Sequence, residues 1–399
     1  MAEAKGRSQR GMLRWAALGL AALLAACAGG PRVIPENRPV PRNEAPRPRP
    51  EPRPVAPGLP QDVQRHRVAL LVPLSGPNAG VGNSLANATQ LAILDTKSDN
   101  IRITTYDTAG GAANAARQAI ADGNRLILGP LLAEEAREVA PIAHAARVPV
   151  LSFSNDTNVA GGGTYLLGYS PSQSIERVVD YARGQGISNF AGLISTGVYG
   201  ERASTAFLRA VEAGGGKVLA METFDGRPGS MTSAITKLSR SPYQAILIAG
   251  SGASGVAAAP VIRRSAPGKT ARILGTELWN TDSGIGSNAA LSGAWFASVP
   301  DNYYRQYATK YRTRFGSAPY RLSTLGYDAV LLTVRIARDW PTGTEFPERR
   351  LIDRDGFAGL DGAFRFGRDG IAQRALEVQE IKGGTVTTIS PAPTGFGGN

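Results

Sequence analysis

The sequence has little of the chemistry on which most enzymes and metal sites depend. Its 399 residues include one cysteine and only two histidines, His66 and His144. A disulfide needs two thiols, so the chain must rely on a hydrophobic core, which a domain of this size can build. Common zinc sites need several cysteines and histidines, and neither histidine can be matched with a nucleophile. We therefore expect a non-enzymatic protein with no catalytic residue, no metal and no cofactor.

The apolar run near the N-terminus is too short to cross a membrane. It extends from Trp15 to Ala26, about 12 residues, whereas a hydrocarbon core requires ~20. Basic residues, the last of which is Arg14, come before it, as in the charged region of a secretory signal. The sequence therefore predicts a signal peptide over residues 1–26 and a mature chain outside the cytoplasm.

The single cysteine lies directly behind that run, and Leu24-Ala25-Ala26-Cys27 resembles a bacterial lipobox. The resemblance implies that Cys27 is lipidated and becomes the acylated N-terminus. Two or more acyl chains make a stable membrane anchor. Ala28 stands at the position where an aspartate favours the inner membrane, so by analogy with enterobacterial lipoproteins we expect the outer membrane. The alternative is an ordinary signal peptide whose cysteine is incidental.

Residues 27–66 are rich in proline and arginine and nearly free of large apolar side chains. Such a segment buries too little surface to fold, and its prolines favour extended polyproline II structure. We expect a disordered tether that lifts the following domain off the membrane, or else an inert linker. More than half of the net charge of +12 falls in the first 67 residues. The domain itself is therefore not strongly basic, and we expect no nucleic-acid partner.

From residue 67 onward, strand and helix patterns alternate. Continuous apolar runs typical of buried parallel strands lead us to predict strands at 68–72, 101–106, 126–128, 148–152, 190–194, 217–221, 245–248 and 272–274. Helical spacing between them indicates a doubly wound α/β fold. Two helices, at 303–315 and 323–339, and short strands, at 362–366, 376–381 and 386–389, are predicted to follow. Residues 391–399 are predicted to be disordered.

Several motifs occur in the order typical of one family. They are the segments at 73–77 (PLSGP), 127–131 (ILGPL), 148–152 (VPVLS), 199–201 (YGE), 275–277 (GTE), 326–329 (GYDA) and 364–370 (FRFGRDG). Together they resemble the type 1 periplasmic binding proteins of the leucine/isoleucine/valine-binding class. The resemblance covers nearly all of residues 67–390 and implies two Rossmann-like lobes joined by three crossovers, with a ligand cleft between them.

The family arrangement implies boundaries for these lobes. We expect lobe 1 at about 67–170 and 302–352, and lobe 2 at about 173–297 and 357–390. The crossovers are then expected near 169–173, 297–302 and 352–357.

The resemblance also implies which side chains face the cleft. The candidate ligand contacts are Ser75, Ser152, Ser154, Tyr199, Ser251 and Glu277. Glu277 matches the family's acid for a ligand's ammonium group, whereas the family's aromatic residue near Ser251 is replaced by small residues.

One departure from the family concerns the helix start at Leu132-Ala133-Glu134-Glu135. In the family's amino-acid binders the ligand's carboxylate sits at this helix N-terminus, where free N–H groups and the helix dipole attract an anion. Here, alanine and two glutamates replace the family's serines. Acidic residues in a first turn are ordinary helix-stabilising choices, but they still argue against an amino-acid site there.

These departures, with the lipobox and the tether, resemble the lipoproteins called penicillin-binding protein activators. The resemblance implies a periplasmic lipoprotein on the outer membrane that docks on a peptidoglycan synthase, a penicillin-binding protein, and stimulates it. The alternative is a receptor that delivers an amino acid or another small solute to an ABC transporter.

Tyr304 and Arg312 on the predicted helix 303–315 are candidate residues of a partner surface, because tyrosine and arginine often dominate interfaces. The alternative is that the aromatic stripe of this helix packs against a sheet.

Overall fold

The computed structural model describes residues 64–282 and 284–396. The predicted signal peptide, Cys27 and the predicted tether up to residue 63 lie outside the described residues, as do residues 397–399. None of the described helices is long and apolar enough to cross a membrane.

Strands and helices alternate along most of the described chain. The strands are β1 (His66–Val72), β2 (Ile101–Asp107), β3 (Ile127–Leu128), β4 (Val150–Ser152), β5 (Thr164–Leu166), β6 (Asn189–Ser195), β7 (Lys217–Phe224), β8 (Ala245–Ala249), β9 (Arg272–Gly275), β10 (Trp295–Ser298), β11 (Phe357–Gly359), β12 (Gly362–Phe366), β13 (Ala372–Arg374), β14 (Glu377–Lys382) and β15 (Thr385–Ser390). The α-helices are α1 (Ala79–Thr96), α2 (Ala112–Ala121), α3 (Ala133–Ala145), α4 (Pro171–Gly184), α5 (Val198–Ala213), α6 (Ser230–Leu238), α7 (Gly252–Arg264), α8 (Asn302–Phe315) and α9 (Thr324–Ala337).

Lobe 1 is built on a parallel sheet of five strands in the order β2-β1-β3-β4-β5. Within β1, Val68 and Leu70 pack towards α1 and α9, whereas Ala69 and Leu71 pack towards α2 and α3. Both faces of the strand are covered, and this is why its sequence is continuously apolar and does not alternate.

Lobe 2 contains a sheet of seven strands in the order β15-β14-β10-β9-β8-β6-β7. Its five strands from β6 to β10 are parallel, and the β14–β15 hairpin adds to β10 in antiparallel pairing. In β8, Ala245 and Leu247 contact the α4 and α5 side, and Ile246 and Ile248 contact the α6 and α7 side. The predicted doubly wound α/β architecture with two lobes is confirmed.

A small antiparallel sheet, in the order β11-β12-β13, belongs to lobe 1. Phe357, Phe364 and Phe366 lie in the same core as α9, and Leu166 of β5 forms a bridge with Ile371. The prediction that residues 357–390 all belong to lobe 2 is therefore wrong for 357–374. The alternating pattern of β12 predicts an apolar face, but that pattern does not indicate which lobe buries it.

Three crossovers connect the lobes. The first follows β5 and ends at Pro171, the second follows β10 and ends at Asn302, and both agree with the predicted ranges. The third lies at Ala375-Leu376, between β13 and β14, and not at 352–357 as predicted. The misplacement follows directly from assigning the small sheet to the wrong lobe.

The predicted boundary between tether and domain also needs a small correction. His66 begins β1 and is buried, and its ring stacks on Trp340 with 3.9 Å between ring centroids. Burial lowers the pKa of His66. This residue therefore belongs to the folded domain and not to the tether.

Candidate functional site

A cavity of about 390 Å³ lies between the two lobes. Lobe 1 contributes Phe153 and Ser154, which follow β4, and lobe 2 contributes Glu277, which follows β9. The crossovers contribute further lining, including Tyr169 and Leu376. The cavity thus lies at the carboxyl ends of parallel strands, where open α/β sheets bind ligands.

Apolar side chains form a large part of the cavity wall. Those that line it are Val81, Leu131, Leu132, Phe153, Leu278, Val299, Leu322 and Leu376. A few polar groups stand among them, as is usual in sites for small organic molecules. Volume and lining both fit a ligand with an apolar body.

Glu277 is the polar group of lobe 2 in this cavity. Its carboxylate accepts hydrogen bonds from the Ser174 hydroxyl of α4 and, at 3.1 Å, from the Tyr199 hydroxyl of α5. The Ser174 oxygen in turn accepts the backbone N–H of Glu277 at 3.2 Å. Burial raises the pKa of Glu277, and the hydrogen bonds from Ser174 and Tyr199 partly oppose that rise. The carboxylate is therefore fixed in place and poorly solvated, which makes it an acceptor suited to a ligand's donor group.

Two arginines line the cavity near the crossovers. Arg321, in the turn before α9, donates from Nη1 to Asp361 at 2.7 Å, and Asp361 also accepts the hydroxyl of Tyr169. Burial opposes the ionisation of Asp361, but the guanidinium groups of Arg321 and Arg374 outweigh burial and lower its pKa. Burial likewise opposes the charge on Arg321, but Asp361 raises the pKa of the guanidinium on balance. Arg321 and Asp361 thus form a buried ion pair beside the cavity.

Arg374, the last residue of β13, lies against two aromatic rings. Its guanidinium carbon is 4.9 Å from the ring centroid of Tyr169 and 5.2 Å from that of Phe364. Its Nη2 donates to the backbone oxygen of Leu167 at 2.9 Å, and its Nη1 is 3.6 Å from Asp328. Burial raises the pKa of Asp328. Neither arginine was singled out from the sequence, because each is isolated in the chain and part of no motif.

The start of α3, on the lobe 1 side, carries the protein's own carboxylate. Glu135 Oε2 accepts the backbone N–H of Leu132 at 3.3 Å, and Oε1 accepts the Thr108 hydroxyl at 2.6 Å. The helix N-terminus, which would attract a ligand's anion, is therefore already supplied with negative charge.

An ion pair connects the lobes beside the cavity lining. Asp156, two residues after Ser154, is 2.6 Å from Arg202 of α5 in lobe 2 and also pairs with Arg137 of α3 in lobe 1. The Asp156 side chain is 6% exposed. Burial opposes its ionisation, but the Asn158 backbone N–H and the two arginines lower the pKa of Asp156. The carboxylate thus holds both lobes together on this side.

The sequence matches a family model described as "Periplasmic binding protein" over residues 66–385. The chain belongs to the periplasmic binding protein family. Members of this family are typically non-catalytic, and the family indicates a periplasmic location. Among the described residues, no group of three or more histidine, cysteine or acidic side chains is placed to hold a metal ion.

Solved periplasmic binding proteins share the fold of this family member. A putative branched-chain amino acid ABC transporter protein from Rhodospirillum rubrum has a TM-score of 0.72 at 22% identity, over 82% of this chain and 100% of that one. The C-domain of LpoA from Haemophilus influenzae, described as a regulator of PBP1A, has a TM-score of 0.64 at 19% identity, over 81% of this chain and 99% of that one.

A curated sequence relative matches a smaller part of the chain. The uncharacterized protein RP748 of Rickettsia prowazekii is 22% identical over 174 residues, which is 43% of this chain. The match spans about half (47%) of the length of that relative.

Of the six predicted cleft residues, Ser154 and Glu277 line the cavity of this binding protein. Tyr199 lies behind Glu277, and its hydroxyl is also 2.8 Å from Thr276 Oγ1. Ser152 is fully buried and donates its hydroxyl to the Pro130 carbonyl at 3.0 Å. Its role is therefore to hold the backbone beside the cavity.

The remaining two predicted residues have other partners. The Ser75 hydroxyl donates to Asp107 at 2.9 Å in an exposed loop. Ser251 caps the N-terminus of α7, where its side chain accepts the N–H of Ser254 at 3.3 Å. Neither residue is part of the cavity lining described above.

The predicted partner surface on α8 is only partly exposed. Tyr304 packs beside Tyr307, and the Arg321 guanidinium covers its ring at 4.3 Å from the centroid. Tyr304 therefore belongs to a packed aromatic stripe, as in the alternative considered from the sequence, but the stripe contacts Asn87 of α1 and Tyr327 of α9, whereas that alternative placed it against a sheet. Arg312 is exposed, and so is Tyr303, at 59%. These two residues lie at opposite edges of the exposed face of α8, because nine residues turn a helix through about two and a half revolutions.

Proposed function

We propose that this protein is a non-catalytic, outer-membrane-anchored periplasmic lipoprotein that regulates a peptidoglycan synthase, a penicillin-binding protein. The observation that carries the proposal is the hydrogen-bonded carboxylate of Glu135 at the start of α3. That carboxylate repels an amino acid's own carboxylate at the place where the family's amino-acid binders hold it. This arrangement argues against a role in amino-acid uptake. It favours a role in which the domain binds a protein partner.

The likeness to the LpoA C-domain supports the same function. The two chains share the fold over 99% of that domain, and that domain is described as a regulator of PBP1A. The lipobox at Cys27 and the tether at 27–66, both predicted from the sequence, provide an anchor and the reach that a membrane-attached partner requires.

The exposed face of α8 is the surface that we assign to this partner. Tyr303 and Arg314 lie at one edge of this face, and Arg305 and Arg312 lie at the other, so the partner must cover about half of the helix circumference. Tyrosine and arginine are the residue types on which interfaces most often depend. The surface first predicted at Tyr304 and Arg312 is thereby moved to Tyr303 and Arg312.

The proposal is tested by measuring peptidoglycan synthesis. The full lipoprotein is added to each bifunctional penicillin-binding protein of the same cell, and the rates of glycan polymerisation and cross-linking are recorded. We expect a severalfold stimulation of one synthase. When both Tyr303→Ala and Arg312→Ala are present, the affinity of the lipoprotein for that synthase should fall at least about tenfold. Arg209→Ala, at an exposed position of α5 in lobe 2, is the matched control. Unchanged rates for every synthase would overturn the proposal.

A second candidate function is that of a receptor for an amino acid or another small solute of an ABC transporter. The cavity of about 390 Å³ with its fixed Glu277 carboxylate favours it. Calorimetric titration with the free amino acids decides between the two. Tight binding of one amino acid that is lost in Glu277→Ala would support the receptor and contradict regulation as stated.

A further inference from the structure

Each of the two large sheets ends in two edge strands, and three of these four edges are protected. The β5 edge is covered by the small sheet, because the N–H of Leu166 donates to the Gly370 carbonyl at 2.8 Å. The edge strands β7 and β15 each contain a register shift against the neighbouring strand. Such irregularities hinder an edge from pairing with another chain. The fourth edge, β2, pairs with β1 in unbroken register over seven residues, and no strand in the described part of the chain pairs with its outer side.

The outer side of β2 presents backbone groups at regular intervals. The N–H of Thr108, directly after β2, donates to the carbonyl of Val72 at the end of β1 at 3.1 Å. In a parallel pair this bond fixes which residues of β2 face β1, namely the even-numbered ones. Backbone groups of successive residues point to opposite sides of a strand, so the N–H and C=O of Ile103 and Thr105 point away from the sheet. These groups can pair with a strand that is added beside β2.

A groove of about 590 Å³ lies beside this edge, between β2 and α2. Residues 104–107 of β2 form one wall. Asn114, Gln118 and Asp122 belong to the other wall, and their spacing of four places them in one row on the helix side. Residues 111–122 extend over roughly 16 Å along the helix axis, the length of about five residues of an extended chain. The groove therefore has the dimensions of a short added strand.

The charge of the groove favours a basic peptide. Among the described lining residues, the charged side chains are those of Asp107 and Asp122. Hydrogen bonds from backbone N–H groups, first that of Ala109, lower the pKa of Asp107, so this carboxylate is ionised at neutral pH. Arg67 donates to the backbone carbonyl of Asp122 and offsets the charge at that end. The negative charge is therefore strongest at the Asp107 end of the groove.

The lining is less suited to a sugar. Tyr106, the aromatic residue of the lining, is 7% exposed, and its hydroxyl donates to Asp122 at 2.8 Å. Its ring is therefore not open for a sugar to stack on. One lining amide is also engaged, since Asn114 Oδ1 accepts a hydrogen bond from Arg117 at 2.8 Å.

We propose that the groove between β2 and α2 binds an extended segment of a partner protein, which adds to the lobe 1 sheet beside β2 and carries a lysine or arginine near Asp107. Its backbone pairs with the outward groups of Ile103 and Thr105, as in other cases of strand addition. The groove and α8 lie on opposite sides of this sheet, since Tyr106 packs with α2 and Tyr307 of α8 packs with α1. The inference therefore goes beyond the regulation proposed above and does not depend on the α8 surface.

The test uses a random library of displayed peptides of about nine residues, selected on the full chain. We expect selected peptides whose affinity falls about tenfold or more for Thr105→Pro, because proline removes an outward N–H and leaves the bonds to β1 in place. Thr105→Val keeps the N–H, so it is the matched control and should bind as the wild type does. The proposal is wrong if the library gives no binder, or if every binder has the same affinity for Thr105→Pro as for the wild type.

Methylation of the backbone nitrogens in a selected peptide is a second measurement, and it decides if Thr105→Pro fails to fold. An added strand pairs with β2 along one of its sides, so a methyl group should weaken binding at alternate residues only. Equal losses at successive residues, or no loss at any, would overturn the assignment.

Charge variants at Gln118, an exposed position of the groove wall, locate the bound peptide. Gln118→Lys should weaken binding of a basic peptide severalfold and Gln118→Glu should strengthen it, with both effects smaller at high salt. Binding of an oligosaccharide that is lost in Gln118→Lys, while the selected peptides bind unchanged, would show a sugar site and contradict the proposal. The double variant Tyr303→Ala and Arg312→Ala should leave peptide binding unchanged, so a failure of this proposal is distinguishable from a failure of synthase regulation.

Discussion

Each lobe has a glutamate in the cavity wall or next to it, and the two glutamates have opposite consequences. In lobe 1, Glu135 turns back onto its own helix start and accepts hydrogen bonds from Leu132 and Thr108. In lobe 2, Glu277 is held by Ser174 and Tyr199 and forms part of the cavity wall. Glu135 thus blocks the position where a ligand's anionic group would bind. Glu277, in contrast, can accept a hydrogen bond from a ligand's donor group.

This difference indicates how a binding-protein fold can be retained while its specificity changes. Substitutions at one helix start remove one anchor, and the opposite wall and the cavity remain. The arginines near the crossovers add positive charge at a different position. We expect the following variants to remove or to sharpen the contrast between the lobes.

The largest effect is expected from Asp361→Ala on the lobe 1 side. The substitution leaves Arg321 buried without its main counter-charge, which typically costs about 3–5 kcal/mol. Urea unfolding should show this loss, and Asp355→Ala, at an exposed position, should change the free energy of unfolding by less than about 0.5 kcal/mol. Equal stabilities of the two variants would contradict the description of the ion pair.

Glu135→Ser should make lobe 1 resemble the family's amino-acid binders. Removal of the carboxylate frees the α3 start for a ligand's anion, so we expect measurable binding of a branched amino acid and a loss of stability of about 1 kcal/mol. Titration calorimetry is the measurement. The neighbouring Glu134→Ser removes a side chain that is 78% exposed and should leave binding unchanged. Gain of binding in both variants would show that Glu135 does not block the site.

Variants of the two arginines that pair with Asp156 test which ion pair holds the lobes together. Arg202→Gln removes the pair that joins the lobes, whereas Arg137→Gln removes the pair within lobe 1. Each should cost about 1 kcal/mol or less in stability. Small-angle scattering should show a larger radius of gyration for Arg202→Gln alone. A similar change in both variants would mean that the pair does not hold the lobes together.

The smallest effect is a pH dependence in lobe 2. Burial raises the pKa of Glu277 above its ordinary value, so the folded state favours the protonated carboxyl. Stability should therefore decrease in the wild type, relative to Glu277→Gln, as the pH rises from the ordinary pKa of a glutamate towards that of the folded state. Urea unfolding of both proteins across this range measures the difference. A difference that is constant with pH would contradict the raised pKa.

Most of the fold could be predicted because buried parallel strands have a simple sequence pattern. Strands such as β1 and β8 are continuous apolar runs, and the hairpin turn at Gly383-Gly384 has positive φ angles, as its glycines indicated. The strands β5, β10, β11 and β13, of three or four residues each, were missed. β10 is buried along its whole length, so its run Trp295-Phe296-Ala297 was a signal that the sequence analysis did not use. The lobe that buries β12 depends on long-range packing, and no local pattern indicates it.

The site was only partly predictable for a related reason. Glu277 and Ser154 could be identified because they match segments with which the family lines its cleft. Arg321 and Arg374 come from separate elements that meet only when the crossovers bring them together. Ser75 and Ser251 were predicted as ligand contacts because of their hydroxyl groups. Those hydroxyl groups instead form hydrogen bonds within a loop and at a helix N-terminus.

The central claim is that an anchored, tethered binding-protein fold regulates a peptidoglycan synthase. The most direct measurement is the cross-linking rate of that synthase in proteoliposomes, with the full lipoprotein and with a form that lacks residues 31–65. We predict stimulation by the full chain and its loss in the shortened form, whose domain should unfold at the same temperature. Failure of the full chain to stimulate any synthase of its cell, together with tight binding of a free amino acid, would contradict the account.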